Sequence, residues 1–520
     1  MKKSITRDEW SSLIVLLAVA LGAFIRFNPT LLAGFALNDG GMFAVMVDDL
    51  RANHYLIPAF TTYNQLGIPF AYPPLGFYFG ALAANLFNMD AAQVVRWVPV
   101  FFASLSVPAF YLLALRLLKN KYSASVSTII FALMPRAFFW SVMGGGLTRS
   151  TGQFFMLLAL TFTLRLYEEN HRADIFWVGL LGGLAVMSHP EAATHTAISA
   201  VFFWLMLSRK RQTFIHSILV GFIVLIVSAP WWITVMRQHG LEPLRNAMQT
   251  GGNSLAIFHL LFFAFTEEPF ATFISVLGLI GIAHRLIRRE YLLPLWMVLP
   301  FILEGRSAVN LAAGPLAMLA AIGLVDVVFA ALQSSAGNEA KQSVQVSSVE
   351  RNLFIYLLLY LLFSAYQFGY QFSNTALSLF DRQAMEWTRQ NTAQDSRFVV
   401  LSGSTSVACD ATSEWFPALA DRASIFTVQG REWTLGKDFG TFIREAGRVQ
   451  ACVNSGMACL DEQIGPGDYD YLYVSRHLRV NNCALLELGR DFSFFVEGVN
   501  HDARFESVFE NDEVVIYKLR

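Results

Sequence analysis

The sequence predicts a polytopic α-helical membrane protein, with about eleven transmembrane helices followed by a C-terminal soluble α/β domain. Three observations predict it. Of 520 residues, 55% are hydrophobic and 15% charged, with 46 Phe, which is more apolar surface than a soluble core buries. The apolar residues gather in runs such as 12–25, 154–162, 218–227 and 354–363, whereas the chain after Asn374 has a mixed composition. All four cysteines lie beyond that boundary. The net charge of −1 provides no global basic field, so no nucleic-acid partner is expected.

Met1-Lys2-Lys3 and Arg7 precede an apolar run from Trp10 to Phe27 without a small-residue cleavage site, the pattern of a signal anchor entering from the cytoplasm. Further spans are expected near 96–118, 122–141, 152–167, 174–188, 192–207, 213–235, 268–284, 291–304, 308–331 and 352–372. Alternate connections are basic, as cytoplasmic loops should be: Lys119 with Lys121, Arg165 with Arg172, Arg209-Lys210-Arg211, Arg285 with Arg288-Arg289, and Lys341 with Arg351. The expected placement is therefore the cytoplasmic membrane, with the N-terminus inside and the C-terminus outside. An oxidising exterior turns Cys409, Cys452, Cys459 and Cys483 into disulfide candidates, with Cys452 and Cys459 the favoured pair because they are close in sequence. Four buried free thiols are the alternative. The domain organisation then reads as a membrane domain over 1–375 with a long outer loop over 28–95, a flexible cytoplasmic linker over 332–350, and an extracytoplasmic domain over 376–520.

A first loop this long is a place to look for function, and 42–50 and 75–87 within it read as short interfacial helices. Asp39 sits just past the first span beside Gly40 and Gly41. It reads either as the N-cap of the next helix or as a general base acting on an acceptor hydroxyl or amine at the membrane edge. Arg136, Arg149 and Arg306 fall on outer connections, against the positive-inside tendency. Their guanidinium groups suit an anionic lipid phosphate, and Gly144-Gly145-Gly146 beside Arg149 could add backbone donors. The alternative is that they contact ordinary headgroups or pair with Glu304 and other carboxylates, the favoured reading for Arg136. Ser188-His189-Pro190-Glu191 with His195 forms a polar cluster at the same depth. His189 and Glu191 could touch substrate or an ion, or form a plain polar corner; Thr266-Glu267-Glu268-Pro269 could face the site or cap a helix.

The order of these features resembles the GT-C superfamily of glycosyltransferases, which includes protein O-mannosyltransferases, aminoarabinose transferases and oligosaccharyltransferases. The features are Asp39 after the first helix, the Pro73-Pro74-Leu75 helix start, an Arg96-headed span ending in Tyr111 to Lys119, and Met134-Pro135 followed by the Gly144 to Arg149 loop. The likeness covers roughly residues 10 to 165 and extends weakly to Gly305-Arg306 and Gly314-Pro315-Leu316. It implies transfer of a sugar from a polyprenyl-phosphate or diphosphate donor at the outer face, with Asp39 catalytic and Arg149 and Arg306 on the donor phosphate. The acceptor it implies is a glycan, lipid or protein. Metal-dependent oligosaccharyltransferases carry a pair of acids in the second outer loop, and Met143 to Ser150 has none. A divalent metal is therefore not assigned, and monosaccharide-transferring relatives are the nearer analogy.

In the C-terminal domain, 376–392 reads as an amphipathic helix and 397–401, 424–428, 469–474 and 514–519 as strands. Glu414 to Arg422 looks like the tails of large membrane glycosyltransferases. With no nucleophile elbow, P-loop or dinucleotide fingerprint, the domain is expected to bind acceptor or to serve structure. The competing function is a transporter or flippase of lipid-linked saccharides, for which Asp326 is the main ionisable candidate within a span.

Overall fold

The computed structural model describes residues 6–249, 256–263, 265–303, 305, 307–335, 346–465, 467–476 and 492–520. The first helix, Arg7–Ala33, begins ahead of its apolar run because Thr6 and Glu9 form a capping box. Thr6 Oγ1 accepts from the Glu9 N–H at 3.2 Å, and the Glu9 carboxylate accepts from the Thr6 N–H at 2.9 Å. Each expected span overlaps a helix, although two of them are broken or shortened. Five helical stretches are long and apolar enough to cross a membrane: Arg7–Ala33, Ala91–Leu118, Arg211–His239, Ala308–Gln333 and Ser348–Ser373. Only 11% of the apolar window of Arg211–His239 is buried by protein, against 61% for Ala308–Gln333. The former therefore turns its leucines and phenylalanines outward and the latter lies in the centre of the bundle.

Two departures from the expected spans matter for the site. The segment expected as one helix over 122–141 ends at Leu133, turns through Pro135–Ala137 and resumes only as the short helix Phe139–Val142. Pro135 supplies no N–H and pushes Met134 to an extended ψ of 116°, which ends the helix there. The helix expected from 268 starts at Phe273, leaving Glu267 and Glu268 in a loop. Of the 332–350 linker, 336–345 lies outside the described residues; Ser347 caps the last helix of the bundle by accepting from the Glu350 N–H at 3.1 Å.

The basic connections meet acids at one end of the bundle. Lys119 pairs with Glu168 at 2.8 Å, Lys121 with Asp8 at 3.8 Å, and Arg165 with Asp174. Asp326 lines a polar cavity there with Arg7, Lys121 and Arg288, far along the helices from the first loop. At the opposite end, the first loop folds into the expected helices Gly41–Ala52 and Leu75–Phe87, joined through a small antiparallel pair, Phe60–Thr61 with Ile68–Pro69. Buried Asp49 pins this connection, accepting from Thr61 Oγ1 at 2.6 Å and from the Thr62 N–H at 3.0 Å.

The C-terminal domain holds a five-stranded mixed sheet in the spatial order Ala423–Ser424, Arg397–Leu401, Tyr471–Ser475, Val514–Leu519, Phe505–Glu510. The first three strands are parallel, and Val514–Leu519 runs antiparallel to both of its neighbours, Tyr471–Ser475 and Phe505–Glu510. The strand expected over 424–428 is reduced to two residues, and Phe505–Glu510 is a strand the sequence reading did not anticipate. Val399, Leu401, Leu472, Val474 and Val515 form the buried core on one face.

A disulfide joins Cys452 and Cys459, as their proximity suggested, and Cys409 is also disulfide-bonded. Among the described cysteines none is a free thiol; Cys483 lies outside the described residues. Closing so short a loop should stabilise the domain by about 2 kcal/mol. Cys452→Ser is expected to lower the unfolding temperature of the domain by several degrees in a thermal melt, and an unchanged melt would refute a stabilising role.

Candidate active site

Leaving the first helix, the chain packs against the loop before Gly146, and the Gly144 N–H donates to the Leu37 carbonyl at 3.1 Å. Contact is close because both loops present glycine. A Cβ at Gly144 would fall inside the van der Waals envelope of the Asp39 carbonyl oxygen, and one at Gly40 would approach Gly144 Cα to 2.8 Å. Gly40 also has a φ of +122°, a conformation strained for any other residue.

This packing places the Asp39 side chain. Its Oδ1 accepts from the Gly145 N–H at 2.8 Å and its Oδ2 from Arg149 Nη2 at 3.0 Å. The N-cap reading of Asp39 is thereby overturned: Gly40 is the N-cap of Gly41–Ala52, and the Asp39 carboxylate makes no capping bond to that helix. Arg149 is held in turn by the break at Pro135, which exposes the Trp140 carbonyl to its Nη1 at 3.2 Å and lays the Trp140 ring 5.2 Å from its guanidinium carbon.

Arg149 borders a cleft shared with Arg136, Trp140, His189, Glu191 and His195. The inner wall is apolar, from residues such as Phe110, Phe131 and Leu160. Thus Arg149, His189 and Glu191, singled out separately along the sequence, meet in one cavity, with Asp39 joined to it through Arg149. His195 is buried there, and its Nε2 makes no hydrogen bond. Arg136 follows the carboxylate-pairing reading: it pairs with Glu267 and donates to Asn310 Oδ1 at 3.2 Å. Glu268 behaves as a cap, accepting from the Ile274 N–H at 3.2 Å and from Thr266 Oγ1 at 2.9 Å. Arg306 and Glu304 lie outside the described residues. Among the described residues, no group of three His, Cys, Asp or Glu side chains gathers as metal ligands do; Asp39 is directed to Arg149 and Gly145 rather than joined with His189 and Glu191.

A further acid reaches the site from the C-terminal domain. Glu414, buried on the helix Ala411–Ala420, accepts from the Gly40 N–H through Oε1 at 2.8 Å. Burial pushes its pKa up to about 8; the charge of Asp39 acts in the same direction, while the Gly40 hydrogen bond and the charge of Arg149 oppose it. Next to it, Trp415 Nε1 donates to the Asn38 carbonyl at 3.0 Å, and Tyr63 donates to the Glu414 carbonyl at 2.7 Å. Sequence reasoning noticed Glu414 only as part of a family likeness. Its partner is 374 positions away, and no local period or spacing records such a contact.

Two comparisons bear on this geometry. Residues 71–233 match the family described as dolichyl-phosphate-mannose-protein mannosyltransferase. Among solved structures, the chain is similar to the oligosaccharyltransferase AglB of Archaeoglobus fulgidus, a complex with an inhibitory peptide and a dolichol-phosphate, at 16% identity and a TM-score of 0.58 over 90% of this chain and 69% of that one. It is similar to ArnT of Cupriavidus metallidurans bound to undecaprenyl phosphate, at 14% identity and a TM-score of 0.54 over 98% of this chain and 97% of that one. The mycobacterial arabinofuranosyltransferase AftD is matched at 14% identity and a TM-score of 0.55 over 99% of this chain and 42% of that one. No curated protein matches the chain.

Proposed function

From the GT-C fold that this chain shares with those glycosyltransferases, we propose that it moves a sugar from a polyprenyl-phosphate-type lipid donor to an acceptor at the extracytoplasmic membrane face. One observation carries the reading: a carboxylate, Asp39, is held by the Gly145 N–H and by Arg149, which borders a cleft with an apolar inner wall. Structures of the same fold are described with undecaprenyl phosphate and with a dolichol-phosphate, which supports the donor class. In this reading all eleven helical segments cross the membrane, residues 1–375 form the membrane domain and 376–520 the extracytoplasmic domain.

An acceptor nucleophile enters beside Asp39, and its lone pair forms the new bond to the anomeric carbon as the carbon–oxygen bond to phosphate breaks. The phosphate leaves with that electron pair, Asp39 receives the proton from the nucleophile, and the anomeric centre inverts. Arg149 offsets charge on the departing phosphate and, through its pairing with Asp39, couples donor and base geometrically. Arg306 is assigned to the same phosphate. His189 and Glu191, on the cleft wall, contact the sugar or the acceptor.

The test is to reconstitute the full chain in vesicles with polyprenyl-phosphate sugars labelled in the sugar. Label leaving the prenyl carrier for water or a second molecule is the expected result. Passage of intact donor across the bilayer without cleavage would replace the transferase by a flippase.

A further inference from the structure

We infer that Glu414 is a positioning residue that, through the backbone of Gly40, holds the Asp39 carboxylate in place and makes the C-terminal domain an integral part of the active site. This inference rests on the transferase reading above.

The residues on either side of Asp39 are each tied to consecutive residues of one helix in the C-terminal domain. On one side, Trp415 Nε1 donates to the Asn38 carbonyl at 3.0 Å; on the other, the Glu414 carboxyl accepts from the Gly40 N–H at 2.8 Å. The backbone needs this support. Asn38 has a φ of 52° and Gly40 one of 122°, so Asp39 sits between two residues in uncommon conformations. The Gly40 N–H lies at the start of a helix, where backbone donors lack intrahelical acceptors, and Glu414 supplies one. The approach leaves no slack, since a Cβ at Gly41 would come within 2.6 Å of the Glu414 carbonyl oxygen. Tyr63, from the first loop, closes the other end of the contact by donating to that carbonyl at 2.7 Å. A cut at this junction would free both flanks of Asp39 while leaving its carboxylate bonded to Arg149 and Gly145.

The charged and titratable groups facing Glu414 are Asp39 and Tyr63 from the first loop and Arg149 from the first turn of the helix Gly146–Glu169. With its pKa raised to about 8, Glu414 is mostly neutral at pH 7, and its carbonyl oxygen can accept from Gly40 without setting a second negative charge near Asp39. As the pH rises past that value the carboxyl ionises and repels Asp39. Glutamine keeps the acceptor and cannot ionise.

The test compares native protein, E414Q and E414A, all full length, for kcat, KM for the lipid donor and the pH–rate profile, with a thermal melt of each. E414A is expected to lose about 100-fold in kcat, the scale of an ångström of misplacement, with little change in donor KM. E414Q is expected to recover most of that loss and to lack the decline of rate near pH 8 that the native chain shows. Native kcat in E414A overturns the inference, as does a loss in E414Q equal to that in E414A. If E414A does not fold, the pH profile of E414Q decides alone, and an unchanged alkaline limb overturns the inference. Absence of transfer by the native chain removes the premise instead, so the two failures are distinguishable.

Discussion

Asp39→Asn is expected to lower sugar transfer by about 10²- to 10⁴-fold while the protein folds and inserts normally. Asparagine has the same shape, and its Oδ1 can still accept from the Gly145 N–H now bonded to Asp39 Oδ1 at 2.8 Å. What disappears is the base and the ion pair with Arg149. That pair is mostly enclosed, with 17% of the Asp39 side chain and 27% of the Arg149 side chain exposed, and the asparagine NH₂ would face the Arg149 donor, so its loss should cost about 1–3 kcal/mol. Rate and stability therefore separate: label transfer collapses while the thermal melt falls by a few degrees and the protein still folds. Native turnover in this variant would remove Asp39 from the mechanism.

Gly144→Ala should damage both quantities. The atoms that an added methyl group meets are backbone, the Asp39 carbonyl carbon and Gly40 Cα, each 2.9 Å away, and neither can rotate aside as a side-chain tip would. The two loops must separate, breaking the Gly144 N–H bond to Leu37 and displacing Asp39 from Arg149. Overpacking of this kind costs about 1–3 kcal/mol, and the accompanying shift of the carboxylate should reduce turnover by about 100-fold. Gly221→Ala is the matched control. A methyl group there meets open space within 4 Å on the exposed face of the helix Arg211–His239, and both melt and turnover should stay native. An active, stable Gly144→Ala protein would show that the loops are not pressed together as described.

The difference between these two sites shows what a linear reading can reach. Asp39 could be singled out because its neighbours along the chain, an apolar helix before it and two glycines after it, are themselves informative. Its alternative role as a helix cap could not be dismissed from the sequence, because capping and catalysis use the same residue type at the same place. Only the position of Gly145 and Arg149, more than a hundred residues later, separates them. Arg136 and Arg149 illustrate the same limit. Both were visible as outward-placed cations, yet one is directed to Glu267 and the other to Asp39. The break at Pro135 was written in the sequence, since proline and its predecessor restrict the backbone locally, but it was subsumed in an apolar run long enough to read as one span.

Amino-acid order alone determined the helical segments, the clustering of basic connections, the Cys452–Cys459 pair and the choice of Asp39, His189, Glu191 and Arg149 as candidates. Hydrophobic runs, positive charges, cysteine proximity and glycine beside acid all act over a few neighbouring residues. Tertiary structure decided which of those candidates share a cleft, that Asp39 is not a cap, and that Glu414 of a separate domain braces it. Those outcomes depend on backbones meeting across hundreds of residues, where a hydrogen bond is set by the packing of two surfaces rather than by the chain that links them.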